Sequence, residues 1–140
     1  MKKIINNIEE MRSFAKEFGK SLKGGEVILL NGDLGAGKTT FVRFVLESLG
    51  VDEPVSSPSF TIMKNYANKD FKFYHFDMYR IENIDETYEF GFEEYIQNST
   101  DSVVFIEWAE RVEELLTNTK VININFKRLG EEKRELDIRI

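Results

Sequence analysis

The chain has no cysteine, a single histidine (His75), a single tryptophan (Trp108) and two prolines among its 140 residues. Lack of cysteine excludes disulfides, iron–sulfur clusters, thiolate zinc and thiol nucleophiles. One histidine excludes a multi-histidine metal site. Any metal must therefore be held mainly by oxygen, which suits magnesium or a similar hard cation. A serine triad would depend on His75, and no G-x-S-x-G elbow is present. Positive charge is short as well, with 19 Lys and Arg against 25 Asp and Glu, for a net charge of -6. Such a chain gains little from a nucleic-acid backbone, so RNA or DNA is expected only through a basic partner. The longest apolar runs, Val27 to Leu30 and Val103 to Ile106, fall far short of the ~20 residues of a membrane span. Met1-Lys2-Lys3 is followed by no signal-peptide apolar core, so the cytoplasm is the expected compartment. The length predicts one domain, residues 1–140, with its own core.

Periodicity predicts the elements. Residues 2–5 read as a short edge strand. Asn7 and Glu10 form a capping-box signal ahead of Met11, Phe14, Ala15, Phe18 and Leu22 at helical spacing. Residues 26–31 read as a buried parallel strand, and residues 38–49 as an amphipathic helix closed by Gly50. Residues 51–59 hold both prolines and three serines and read as a loop. Strands are expected at 60–66 and 71–78 around an Asn68-Lys69-Asp70 turn, then two short helices broken near Gly91 within 81–98. A buried strand at 103–107, a short helix at 109–116, and an antiparallel pair, 121–127 with 135–140, complete the chain.

Gly32-Asp33-Leu34-Gly35-Ala36-Gly37-Lys38-Thr39 fits G-x-x-x-x-G-K-[ST] at every fixed position. From average composition, roughly 0.005 such matches are expected by chance in a chain of this size. Glycines let successive N–H groups aim inward and let a phosphate approach the backbone. The helix that follows presents its unpaired N–H groups to the same anion. Lys38 is expected to meet the β- and γ-phosphates and Thr39 to ligate magnesium. Asp33, a carboxylate within the loop, is expected to point outward. The predicted fold is α/β, a P-loop NTPase-like three-layer fold whose central sheet is mostly parallel with added antiparallel strands.

An acid on a neighbouring strand should complete the metal site. Glu107 ends an unbroken apolar run and is assigned to magnesium, directly or through water; a salt bridge to Arg111 is the bland alternative. Asp77 is assigned to the attacking water or its shell, against capping a helix or pairing with Arg80. His75 reads either as a half-buried hydrogen-bonded residue or as a catalyst. Trp108 is expected on the strand face opposite Glu107, as packing, interface or a base-stacking surface. Ser59 or Thr61 senses the γ-phosphate, or the loop is a proline-stiffened connection. Arg134 is a candidate for the adenine pocket, and Arg80 or a partner's arginine for transition-state charge.

Taken together, residues 32–40, Ser-Pro-Ser-Phe at 57–60, His-Phe-Asp-Met-Tyr-Arg at 75–80 and Ile-Glu-Trp-Ala-Glu-Arg at 106–111 resemble the TsaE (YjeE) family. The likeness spans essentially the whole chain. It departs at Ser59, where the family usually has threonine. The resemblance implies a P-loop ATPase of bacterial tRNA threonylcarbamoyladenosine synthesis, weak alone and activated by its partners TsaB and TsaD. TsaD transfers the threonylcarbamoyl group to adenosine 37 of the tRNA, which this chain would meet only through those partners. The resemblance also puts phosphates on Gly35, Ala36, Gly37, Lys38, Thr39 and Thr40, magnesium on Thr39 and Glu107, and a catalytic or switching role on Asp77. Other readings are a nucleotide-gated module with negligible hydrolysis and a small P-loop kinase. A GTP switch is disfavoured, because Asn68-Lys69-Asp70 lacks the spacer of N-K-x-D and no D-x-x-G follows.

Overall fold

The structure, a computed structural model, describes residues 1–140. Seven strands form one sheet: β1 (Lys2–Ile5), β2 (Val27–Asn31), β3 (Met63–Ala67), β4 (Lys72–Asp77), β5 (Ser102–Glu107), β6 (Ile122–Arg128) and β7 (Arg134–Arg139). Their order across the sheet is β1-β7-β6-β2-β5-β4-β3. The four central strands, β6, β2, β5 and β4, run parallel, while β1, β7 and β3 add antiparallel pairs at the edges. Burial explains the centre. Every residue from Val27 to Leu30 and from Ser102 to Glu107 is buried, as in strands covered on both faces.

The two faces carry different cores. Helices α1 (Ile8–Ser21) and α2 (Lys38–Ser48) cover one face, against Ile28, Leu30, Phe73, Val103, Phe105, Ile124 and Phe126. Phe41 of α2 anchors this side, its ring centroid 5.3 Å from Phe18 and 5.7 Å from Phe126. The other face, Val27, Leu29, Phe76, Val104 and Ile106, is covered by two 3-10 helices, residues 84–90 and 109–116, and the one-turn α3 (Phe92–Tyr95). Phe76 packs edge-on against Phe92 at 5.1 Å. The arrangement is the expected three-layer α/β fold.

Local chemistry sets the boundaries. Asn7 caps α1 by accepting from Glu10 N at 2.9 Å. Glu10 reaches one residue further back than a capping box requires, accepting from Asn6 N at 3.0 Å. Gly91, in the left-handed region at φ 67, breaks the helical stretch where expected. The strand expected from Phe60 starts three residues later. Residues 58–62 instead form a turn in which the Thr61 and Ile62 amides both donate to Pro58 O. Ile62 closes it at φ 69, a costly conformation for a β-branched residue. The 109–116 segment is a 3-10 helix kinked at Val112.

Register aligns the chemistry. Asp77 of β4 and Leu30 of β2 both pair with Glu107 of β5. The carboxyl ends of three parallel strands thus meet beside the loop that leaves β2, where ligands bind in open α/β sheets.

Candidate functional site

Residues 32–37 connect β2 to α2. Gly32 has φ 144, and a Cβ there would lie 2.5 Å from Phe126 O, so only glycine lets the loop pass this close to β6. Gly37 caps α2 at φ 105 with no side-chain hydrogen bond, in contrast to Asn7 on α1. The N–H groups of Gly35, Gly37, Lys38, Thr39 and Thr40 have no acceptor within the chain, whereas Ala36 N donates to Asp33 O at 3.1 Å. Five unpaired donors around one helix N-terminus make a site for an anion. Asp33 is exposed, as expected of a carboxylate in such a loop.

Lys38 is 4 % exposed. Its ammonium donates to Gly32 O and lies 4.1 Å from the centre of the Trp108 ring. Burial holds its pKa below the ordinary lysine value, opposed by the nearby charges of Glu107, Glu110, Asp77 and Asp33.

Thr39 Oγ1 donates to Glu107, 2.9 Å from Oε2 and 3.2 Å from Oε1. The two residues assigned to magnesium therefore meet across 68 positions of sequence. Glu107 makes no pair with Arg111; its second partner is His75, with Nε2 2.6 Å from Oε2. His75 is fully buried, not half-buried, and its Nδ1 has no partner.

Asp77 accepts from Tyr79 N at 3.0 Å and from Ser59 Oγ at 3.2 Å, and Ser59 Oγ lies 2.6 Å from Ser57 Oγ. Asp77 thus caps no helix, since the next one is capped by Asn83; one of its oxygens closes a local turn at Tyr79, while the other faces the serine loop. Arg80 does not pair with Asp77; its guanidinium lies over the exposed Phe60 ring, 4.4 Å from the centre. Thr61 is exposed in the turn.

Trp108 departs from expectation. Strand alternation predicts the face opposite Glu107, but Trp108 has φ 58, which ends the alternation and brings its ring onto Lys38. Tyr79 packs against it at 4.9 Å. The sequence carries no signal for this turn. It equally hides the contact of Ser57 with Ser59, and the role of Arg134, expected near the adenine but here bonded through its guanidinium to the Gly35 and Ala36 carbonyls.

These residues line a cleft of about 230 Å3 that includes Gly35, Gly37, Lys38, Thr39, Thr40, Asp77 and Glu107. Ala36 lies just beneath, 2 % exposed. No three His, Cys, Asp or Glu side chains converge to hold a metal. The Thr39 hydroxyl and Glu107 carboxylate are hard oxygen donors that suit magnesium only if phosphate oxygens or water supply the remaining ligands.

Sheet order, the parallel centre and the bare loop between β2 and α2 place the chain in the P-loop NTPase-like class. Comparison with known proteins narrows the class. The family model described as "Threonylcarbamoyl adenosine biosynthesis protein TsaE" matches residues 5–136, and the chain belongs to that family. The tRNA threonylcarbamoyladenosine biosynthesis protein TsaE of Rickettsia typhi is 40% identical over 136 residues, covering 96% of this chain and 92% of its own. Its Bacillus subtilis counterpart is 42% identical over 130 residues, covering 93% and 79%. The crystal structure of Bacillus subtilis YdiB superposes with a TM-score of 0.75 at 36% identity, covering 97% of this chain and 82% of that one. No helix here is long and apolar enough to cross a membrane.

Proposed function

We propose that the chain is a magnesium-dependent ATP-binding and ATP-hydrolysing component of bacterial tRNA N6-threonylcarbamoyladenosine synthesis, activated by partner proteins. The observation that carries this reading is the set of five unpaired amides, at Gly35 and at Gly37 to Thr40, around the N-terminus of α2. Beside them stand Lys38 and the Thr39–Glu107 pair. Family membership and the TsaE relatives supply the pathway.

The amides and the helix end hold the phosphates, and Lys38 leaves Gly32 O to meet the β- and γ-phosphate oxygens. Thr39 and Glu107 hold magnesium, which when bound neutralises charge developing on the phosphates. Asp77, on the neighbouring strand, orients the attacking water, with Ser59 and Ser57 behind it. Neither Arg80 nor any other arginine ion-pairs with Asp77 or Glu107. A transition-state cation would therefore come from Arg80 swinging off Phe60 or from a partner.

The partners in this reading are TsaB and TsaD, and the compartment is the cytoplasm. The net charge of -6 fits a protein that meets tRNA only through them. The 140 residues act as one domain. The test is multiple-turnover phosphate release from Mg·ATP by the pure chain, titrated with TsaB, TsaD and tRNA. The proposal requires slow release alone and a rise with the partners. Release that stays at background in the full mixture, with nucleotide bound, favours the nucleotide-gated module. Transfer to a small acceptor instead of water favours a kinase.

A further inference from the structure

We propose that Arg134 is a positioning residue for the phosphate cradle: from the β6–β7 hairpin it holds the Ala36 carbonyl outward and so turns the Gly37 N–H inward. The inference rests on the reading of residues 32–39 as a polyphosphate site.

Arg134 is the first residue of β7, 98 positions from Ala36. Its Nε–H donates to Ala36 O at 3.0 Å and one terminal nitrogen donates to Gly35 O at 3.3 Å. The other terminal nitrogen gathers the hairpin's own carbonyls, Gly130 O at 2.9 Å, Lys133 O at 3.0 Å and Glu131 O at 3.1 Å. The guanidinium makes no ion pair with any carboxylate. It is thus spent on backbone carbonyls of two loops and bolts one to the other.

The consequence follows from peptide geometry. No peptide bond in the chain is cis, and in a trans peptide the C=O and N–H point in opposite directions. With Ala36 O held toward Arg134, the N–H of Gly37 points the other way, into the cleft, and it has no acceptor in the chain. No other hydrogen bond in the chain fixes that peptide. Gly37 sits at φ 105 and Gly35 at φ 79, so the segment has the conformational freedom of glycine on both sides. A flipped peptide would aim a carbonyl oxygen at the phosphates in place of a donor. Lysine cannot substitute, because an ammonium on a flexible stem does not span carbonyls on two loops in a fixed fork.

The test compares the full chain with Arg134→Ala and Arg134→Lys. Affinities for ADP and for inorganic tripolyphosphate are measured by calorimetry without metal. The amide signal of Gly37 is followed by nuclear magnetic resonance in the same titrations. Both variants should bind both ligands at least about tenfold more weakly, by similar factors, with little recovery in the lysine variant. The Gly37 amide should lose most of its ligand-induced shift. The lysine variant carries the test if the alanine variant fails to fold. Affinities within twofold of the parent chain for both variants would overturn the inference. Loss of ADP binding with tripolyphosphate binding unchanged would also overturn it, because Arg134 would then be a base or sugar contact. A parent chain that binds neither ligand would remove the polyphosphate reading itself, a result distinct from the other two.

Discussion

His75 Nε2 lies 2.6 Å from Glu107 Oε2, and their side chains are 0% and 4% exposed. The carboxylate that meets Thr39 on one side is thereby held from behind by a buried imidazole. Hydrogen-bond partners of this kind orient ligating carboxylates, and their loss commonly weakens metal affinity by about 10–100-fold. His75→Leu should therefore reduce the gain in nucleotide affinity produced by magnesium by that order, and leave metal-free ADP affinity near that of the parent. His75→Gln, which keeps a donor, should fall between. Calorimetry with and without magnesium distinguishes this from simple loss of fold, which would lower both affinities together. Glu107→Ala should abolish the magnesium response; an unchanged response would move the metal role to Asp77.

Lys38, proposed to meet the phosphates, is buried at a cost in stability. Lys38→Ala should weaken ATP binding by roughly a hundredfold through loss of a charge-assisted contact. The folded-state pKa of Lys38 lies below the unfolded value, so near neutral pH burial of the charge opposes folding. Between the lowered pKa and the ordinary lysine value the unfolded chain binds more protons, and stability from this group rises with pH. Lys38→Met should melt at or above the parent temperature at pH 7, with the difference shrinking toward pH 10–11. A melting temperature several degrees lower at pH 7, in an otherwise folded protein, would contradict this assignment.

Trp108 is the only tryptophan, and the Lys38 ammonium lies 4.1 Å from its ring centre. Nucleotide binding that draws the ammonium toward phosphate must change the surroundings of that ring. Intrinsic fluorescence should shift in intensity on addition of Mg·ADP, with saturation at the calorimetric affinity. In Lys38→Ala the change should be lost or greatly reduced. A fluorescence signal that ignores nucleotide while calorimetry reports binding would show that the lysine stays on the ring.

Gly32 sets how closely the phosphate loop approaches β6. A Cβ there would lie 2.5 Å from Phe126 O, at φ 144, and neither backbone has an easy way to yield. Gly32→Ala should cost about 2–4 kcal/mol of stability. Chemical denaturation measures it; a loss under about 0.5 kcal/mol would mean the loop relaxes away from β6.

Most of the architecture could be read from short-range patterns. Val27 to Leu30 and Val103 to Ile106 announce buried parallel strands because both faces are covered, and the glycine-lysine-threonine spacing announces the loop between strand and helix. Asp77 and Glu107 stand out as acids that end such strands, and register places them opposite each other. What stayed hidden depends on contacts between distant segments or on backbone conformations that leave no periodic trace. Trp108 turns to the phosphate-loop side through one left-handed residue. Arg134 acts across 98 positions through carbonyls, which every residue possesses, so no residue type marks its target. The start of β3 slipped by three residues because Phe60 is strand-like in composition but lies inside the turn that Pro58 opens.

The proposed function requires that the amides at the head of α2 capture a nucleotide polyphosphate. Calorimetry of the pure chain with Mg·ATP, alongside Lys38→Ala, tests it most directly. Saturable one-to-one binding by the parent, a rise in melting temperature with ligand concentration, and loss of both in the variant are the expected result. Absence of heat and of any melting shift in the parent, or equal binding by parent and variant, would contradict it.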